Sequence, residues 1–201
     1  NVAKRVGLDT FDHAGGAIVD DFDNDGYLDV VSSTLDSNGQ LRFFRNQGDG
    51  MFAEHTESAN LAGIFGGLNI NQADYDNDGD LDVMVLRGAW LQADGRLPNS
   101  LLRNNGNLTF TDVTFEAGLA DAHYPTQTAG WADYDNDGDL DLFVGNESNA
   151  AQLSPSQLFR NNGNGTFDEV AEHAGVLNFR RAKGVAWGDY DSDRFADLYV
   201  S

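Results

Sequence analysis

An all-β chain, a β-propeller built from repeated four-stranded sheets, is the fold class this sequence predicts, and three observations predict it. A nine-residue aspartate loop is written four times, beginning at Asp21, Asp74, Asp133 and Asp189, with spacings of 53, 59 and 56 residues. A glycine-rich segment repeats in phase with it at 44–52, 102–110 and 159–167. A third marker keeps the same order at 2–8, 113–119 and 170–176, with a degenerate copy around 56–61. Self-similarity at periods of tens of residues is the mark of stacked supersecondary units. On this register the single propeller segment 1–201 divides into repeats 1–53, 54–111, 112–168 and 169–201, the last incomplete.

Each repeat reads as four strands. One precedes the loop, as at Ala17, Ile18 and Val19 or at Gly130, Trp131 and Ala132. The next follows it: Val30 and Val31; Val83, Met84 and Val85; Leu142, Phe143 and Val144; Leu198, Tyr199 and Val200. Apolar residues at consecutive positions bury both faces of a strand, and a sheet packed between two neighbouring sheets meets that requirement. The Asn-x-Gly segments read as hairpin turns in which Asn and Gly tolerate positive φ. Four-stranded sheets of similar sequence, stacked face to face, describe propeller blades. Solenoid repeats are usually shorter than these. The chain covers three and a half blades, whereas closure takes about four to eight. It therefore reads as part of a larger ring, or as a chain that closes by assembly with further blades or chains.

The loops carry the chemistry. Each places carboxylates at positions 1, 3, 5 and 9, and three of the four have glycine at position 6. So dense a run of carboxylates repels itself unless a hard cation sits among them. Oxygens at alternate positions of a tight loop can converge on calcium, which accepts six to eight oxygen ligands in irregular geometry. The ligands expected in the first loop are Asp21, Asp23, Asp25 and Asp29, with the Tyr27 carbonyl at position 7. The second supplies Asp74, Asp76, Asp78 and Asp82 with the Asp80 carbonyl; the third, Asp133, Asp135, Asp137 and Asp141 with that of Asp139. The fourth supplies Asp189, Asp191, Asp193 and Asp197 with the Phe195 carbonyl. Up to four calcium ions follow, one in the loop between the first two strands of each blade.

An EF-hand starts in the same way but needs a bidentate Glu at position 12 and flanking helices. Position 12 here is Ser32, Val85, Val144 or Val200, and the flanks are strand formers. Magnesium keeps its water and demands octahedral geometry, and zinc sites are built on His or Cys. The rival reading is that the aspartates only shape turns through side-chain to backbone bonds. The last loop departs from the others, with Arg194 where they have glycine and Ala196 where they have leucine. A non-glycine residue at positive φ is strained, and an arginine beside the site opposes a cation. This site is predicted to be the weakest.

The net charge of −21 comes from 33 acidic and 12 basic residues, and 18 of the acids lie inside the four loops. No basic stripe exists to neutralise phosphates, so nucleic acid is not an expected partner; Arg180, Arg181 and Lys183 read as solvated surface. The absence of cysteine removes disulfides and thiolate chemistry. No apolar run is long enough to span a bilayer. No catalytic residues are assigned, because neither a nucleophile elbow nor a phosphate-cradling loop appears. His13 and His123 follow matching Gly-Leu pairs and read as structural or surface residues, and Trp131 and Trp187 read as core. Arg45, Arg103 and Arg160 recur and read as neutralising nearby acids, with a salt bridge to a loop as one possibility.

The loops and the phrases at 158–167 and 184–191 resemble the FG-GAP and VCBS repeats of integrin-like β-propellers. They look especially like the bacterial cartilage-acidic-protein-like group, whose members often carry an ASPIC/UnbV domain; no such segment lies in these residues. The resemblance implies commonly seven-bladed propellers, secreted, periplasmic or on the cell surface, with calcium between the first two strands of a blade. It implies no single activity. The function expected is a non-catalytic, calcium-binding scaffold, adhesion or protein-interaction module at the cell exterior. A calcium-stabilised lectin holding glycans between blades, or an accessory domain of a polysaccharide-acting enzyme, are the alternatives.

Overall fold

The computed structural model describes residues 2–10, 14–36, 38–89 and 91–201. Apart from a short helix, α1 (Ala3–Val6), and a 3-10 turn at Gln92–Gly95, its regular elements are strands. The first sheet is β1 (Ala14–Asp20), β2 (Asp29–Thr34), β3 (Arg42–Asn46) and β4 (Phe52–Glu54). The second is β5 (Asn69–Ala73), β6 (Asp82–Leu86), β7 (Ser100–Asn104) and β8 (Phe110–Asp112). The third is β9 (Thr126–Ala132), β10 (Asp141–Asn146), β11 (Gln157–Asn161) and β12 (Phe167–Glu169). A two-stranded pair, β13 (Val185–Gly188) and β14 (Asp197–Val200), completes the series.

All neighbouring strands are antiparallel and follow one another in sequence order, so each sheet is a meander. Each aspartate loop joins the first strand of its sheet to the second. The first strands β1, β5, β9 and β13 neighbour one another from sheet to sheet, which brings the loops to a common edge of the stack. These are the four-stranded antiparallel sheets expected of propeller blades. They form no closed barrel among the described residues.

Burial follows each sheet's position in the stack. Every residue of β6 and β10 is buried, whereas β2 interleaves half-buried Val30 and Ser32 with buried neighbours, and β14 has none buried. A strand between two sheets needs apolar residues on both faces; a strand covered on one side does not. Three apolar seams separate the sheets. Phe22, Val31 and Phe43 meet Ile70, Val83, Val85 and Phe110 in the first. Met84, Leu86 and Leu101 meet Leu142, Val144 and Phe159 in the second, and Phe143 and Leu158 meet Trp187 and Leu198 in the third. The Phe43 ring stands edge-on to Phe22 at 6.1 Å and to Phe110 at 6.0 Å, a geometry that aromatic quadrupoles favour.

The third marker forms a helical turn that ends in a left-handed residue. Its closing bonds repeat: Leu8 N–H to the Ala3 carbonyl at 2.9 Å, Leu61 to Thr56 at 3.0 Å, Leu119 to Thr114 at 3.0 Å and Val176 to Ala171 at 2.9 Å. The left-handed position is Gly7, Asn60, Gly118 or Gly175. Asparagine is among the few residues that replace glycine there, which explains why the copy at 56–61 is hard to see. The turns also lock sheets together. Phe110 N–H donates to the Ala59 carbonyl and Phe167 N–H to that of Ala117, each at 2.9 Å.

Candidate functional site

The aspartate loops share one hydrogen-bond scheme. The position-1 carboxylate accepts two backbone N–H groups, from positions 5 and 6. Asp74 takes those of Asp78 and Gly79 at 3.0 Å each, and Asp21, Asp133 and Asp189 do the same at 2.8–3.0 Å. The position-5 carboxylate accepts the N–H of position 7: Tyr27, Asp80, Asp139 or Phe195, at 2.9–3.0 Å. The position-9 carboxylate accepts the N–H of position 2: Phe22, Tyr75, Tyr134 or Tyr190. In the four-stranded sheets it also holds the backbone N–H of Asn46, Asn104 or Asn161 at 2.7–2.8 Å.

Two positions in each loop are left-handed. Position 6 is Gly26, Gly79 or Gly138 at φ 87°, 92° and 97°, and Arg194 at φ 78° in the fourth loop. Position 4 is the second: Asn24, Asn77, Asn136 and Ser192 have φ between 57° and 66°. The glycine was legible from the sequence. The asparagine was not singled out, although its recurrence in three loops was a usable signal.

This folding gathers carboxylates. Ligand atoms of Asp21, Asp23 and Asp29 lie within 4.8 Å of one another, as do those of Asp74, Asp76 and Asp78, of Asp133, Asp135 and Asp141, and of Asp189, Asp191 and Asp197. Asp25, Asp82, Asp137 and Asp193 stand outside these mutual groups. Asp82 is buried, and burial pushes its carboxyl up to about 8 despite the N–H groups of Asn104 and Tyr75. Burial likewise lifts Asp29 and Asp141 to about 6. Burial, then the neighbouring Asp78 and Asp137, raises Asp76 and Asp135.

The Oδ1 atom of Asp76 is buried and has no hydrogen-bond partner. Turn-shaping bonds alone leave this oxygen unsatisfied, and a buried acceptor without a partner is costly. A cation among these oxygens would satisfy it and favour the charged form of the raised carboxyls. An all-carboxylate donor set, without His or Cys, fits a hard divalent ion such as calcium. The residues present fit the ion.

The recurring arginines, expected to neutralise nearby acids, do so in different ways. Arg45 donates from Nε to Asp23 at 2.5 Å and from its terminal nitrogen to Asp25 at 2.8 Å, so the first loop carries its own fixed cation. The equivalent Arg160 makes its ion pair with Asp168 on β12, and Arg103 and Arg160 act on the position-3 carboxylates Asp76 and Asp135 through their charge. The arginine thus faces the position-3 carboxylate in all three repeats, with a direct ion pair to its loop at Arg45.

The expectation of positive φ at the hairpin asparagines is corrected as well. Among the Asn-x-Gly residues only the glycines, Gly48, Gly106 and Gly163, are left-handed. Asn46, Asn104 and Asn161 instead cap those glycines through Oδ1 at 3.0–3.2 Å. Trp131 is partly buried beside Tyr75 and Phe167, and Trp187 lies edge-on to Phe143, as core residues do. His13 lies outside the described residues.

Adjacent loops are joined by side-chain amides. Asn24 donates to Asp80 and Asn77 to Asp139, each at 2.8 Å, while Asn136 reaches the Arg194 carbonyl at 3.3 Å. Asp80 and Asp139, expected to contribute backbone carbonyls, thus use their side chains as acceptors for the preceding loop. Their second oxygens lie over Gly106 and Gly163, where a Cβ would come within 2.5 and 2.6 Å.

Comparison with known proteins agrees with this arrangement. The FG-GAP-like repeat model matches residues 21–85, 89–144 and 133–200. Cartilage acidic protein 1 of Xenopus tropicalis is 27% identical over 209 residues, and its counterparts in Homo sapiens and Mus musculus are 26% identical over 208. Each alignment takes in 100% of this chain and 30% of the relative, so the chain spans less than a third of the length of the curated relatives it matches.

Proposed function

This chain belongs to the FG-GAP-like repeat family, and from that footing we propose that it is a segment of a calcium-stapled β-propeller, without catalytic activity, that presents a protein-binding surface at the cell exterior. The observation that carries the reading is the recurrence of one carboxylate cluster at one place in successive sheets, with a buried Asp76 oxygen unsatisfied by the protein itself. Asp21, Asp23, Asp25 and Asp29 and their counterparts in the other loops would hold the ions, joined by the position-7 carbonyls. The ion supplies positive charge that lets buried carboxylates ionise without mutual repulsion. Its role is to fix the loops, whose carboxylates are already engaged by backbone N–H groups of the same turns.

The exterior placement rests on two supports: likeness to cartilage acidic proteins, and loops whose acidity suits a compartment rich in calcium. The seven-bladed ring and the repeat boundaries at 53/54, 111/112 and 168/169 belong to the same proposal. A protein partner is favoured over a glycan because Trp131 and Trp187 are packed against the seams.

Thermal denaturation with and without calcium tests the metal reading. An ion bound only by the folded state, at about 100 times its Kd, stabilises by about 2.7 kcal/mol per site. Calcium is expected to raise the melting temperature and EDTA to reverse it. A melting temperature indifferent to EDTA refutes the reading. A glycan array screened with and without calcium is expected to stay silent, and a calcium-dependent hit would turn the partner assignment to sugars.

A further inference from the structure

The amides between loops do more than hold the sheets in register. Asn104 is fully buried and bonds to two loops at once. Its Nδ2 donates to the carbonyl of Phe22, which lies between Asp21 and Asp23 in the first loop, at 2.8 Å. Its backbone N–H donates to Asp82, the last carboxylate of the second loop, at 2.8 Å. Asn161 repeats the arrangement one sheet on, with Nδ2 on the Tyr75 carbonyl and N–H on Asp141, both at 2.8 Å. On the solvent side, Asn24 and Asn77 reach Asp80 and Asp139 from inside the turns that position the carboxylates. Each neighbouring pair of these loops therefore shares one buried and one exposed link.

We infer that neighbouring calcium loops fill cooperatively, with Asn24 and Asn104 coupling the first loop to the second and Asn77 and Asn161 coupling the second to the third. The inference rests on the metal reading above. An empty loop holds like charges together in one conformation and pays an ordering cost to do so. When one loop fills, its backbone between positions 1 and 4 becomes fixed. The Phe22 carbonyl and the Asn24 amide then hold Asn104 and Asp80 in the geometry that the second loop needs. Ordering already supplied by one ligand is not charged again to the next, which is positive coupling. The fourth loop is joined to the third more weakly, since Asn136 meets only a backbone carbonyl at 3.3 Å.

Calcium titration followed by NMR tests this site by site. The Gly79 amide donates to Asp74 and reports the second loop alone. Disabling the first loop with Asp21→Asn and Asp23→Asn is expected to weaken calcium binding at the second by about fivefold, at the low end of usual coupling. In an Asn24→Gly background, which keeps the left-handed turn, that penalty is expected to shrink; adding Asn104→Ser should abolish it. If the buried Asn104→Ser does not fold, as judged by circular dichroism, Asn24→Gly alone decides. Equal affinity at Gly79 with the first loop intact or disabled overturns the coupling, as does a full penalty that persists in Asn24→Gly. A protein that binds no calcium at any loop overturns the metal reading itself, an outcome distinct from independent, saturable binding.

Discussion

Replacing Gly79 by alanine isolates the backbone cost of the aspartate turn. Gly79 sits at φ 92° in a loop of the central sheets, and a Cβ there would meet no atom within 4 Å. Nothing in the packing opposes the methyl group, so the penalty is conformational. An L-residue in the left-handed region costs about 1–2 kcal/mol. Alanine recovers about 0.4–1 kcal/mol by restricting the unfolded chain. The net loss is about 0.5–1 kcal/mol, which in a chain of this size lowers the melting temperature by about 1–4 °C. Urea denaturation in EDTA keeps metal linkage out of the measurement, and the m-value should not change. Gly106→Ala is the contrasting variant: it too is left-handed, at φ 68°, but its Cβ would fall 2.5 Å from Asp80 Oδ2. It must displace the acceptor of Asn24 and is expected to cost more. Arg194→Gly is the mirror image, relieving a φ of 78°. It should slow hydrogen exchange of the residue-194 amide, which donates to Asp189, and tighten calcium at the fourth loop. A neutral Gly79→Ala, or equal losses at Gly79 and Gly106, would refute this reasoning.

Two further perturbations address charge and packing. Arg45→Ala removes a partly exposed ion pair worth under about 1 kcal/mol in the metal-free protein, yet frees Asp23 and Asp25 for a cation. Calorimetry should therefore find slightly lower stability in EDTA and tighter calcium at the first loop, and a loss of affinity there would contradict the shared-carboxylate reading. Phe43→Ala empties a fully buried site between Phe22 and Phe110 and should cost about 3–5 kcal/mol by chemical denaturation. A loss under about 1 kcal/mol would mean that the first seam is not close-packed.

The repeat was legible because its strongest constraints are local. A carboxylate that must accept the N–H groups four and five residues ahead has to be a short acidic residue, and a turn at φ near 90° all but requires glycine. Both fix residue type at fixed spacing, and the strand positions follow from the consecutive apolar residues of β6 and β10. What could not be read is set by neighbours in space. The bond from Asn104 to Phe22 spans 82 residues, and the same Asn-x-Gly phrase would serve an ordinary hairpin. Arg45, Arg103 and Arg160 occupy one repeat position, yet Arg45 pairs with its loop and Arg160 with Asp168. The helical turns of the third marker were visible as a pattern but not as helices, being shorter than any periodicity that could reveal them.

Loop position 7 shows how one site serves two ends. In the second and third loops it is aspartate, with one oxygen taking the preceding loop's asparagine and the other lying over the sheet's own hairpin glycine. In the first loop it is Tyr27, whose ring covers Gly48 at the matching place, where a Cβ would come within 2.8 Å. The hairpin contact thus survives a change from aspartate to tyrosine, whereas with Phe195 at position 7 the link from the preceding loop falls on the Arg194 carbonyl instead of a carboxylate. Asp80 and Asp139 are therefore better understood as connectors between sheets than as surplus charge around an ion. The glycine beneath is left-handed in all three hairpins, and in the second and third a Cβ there would crowd the connector's second oxygen.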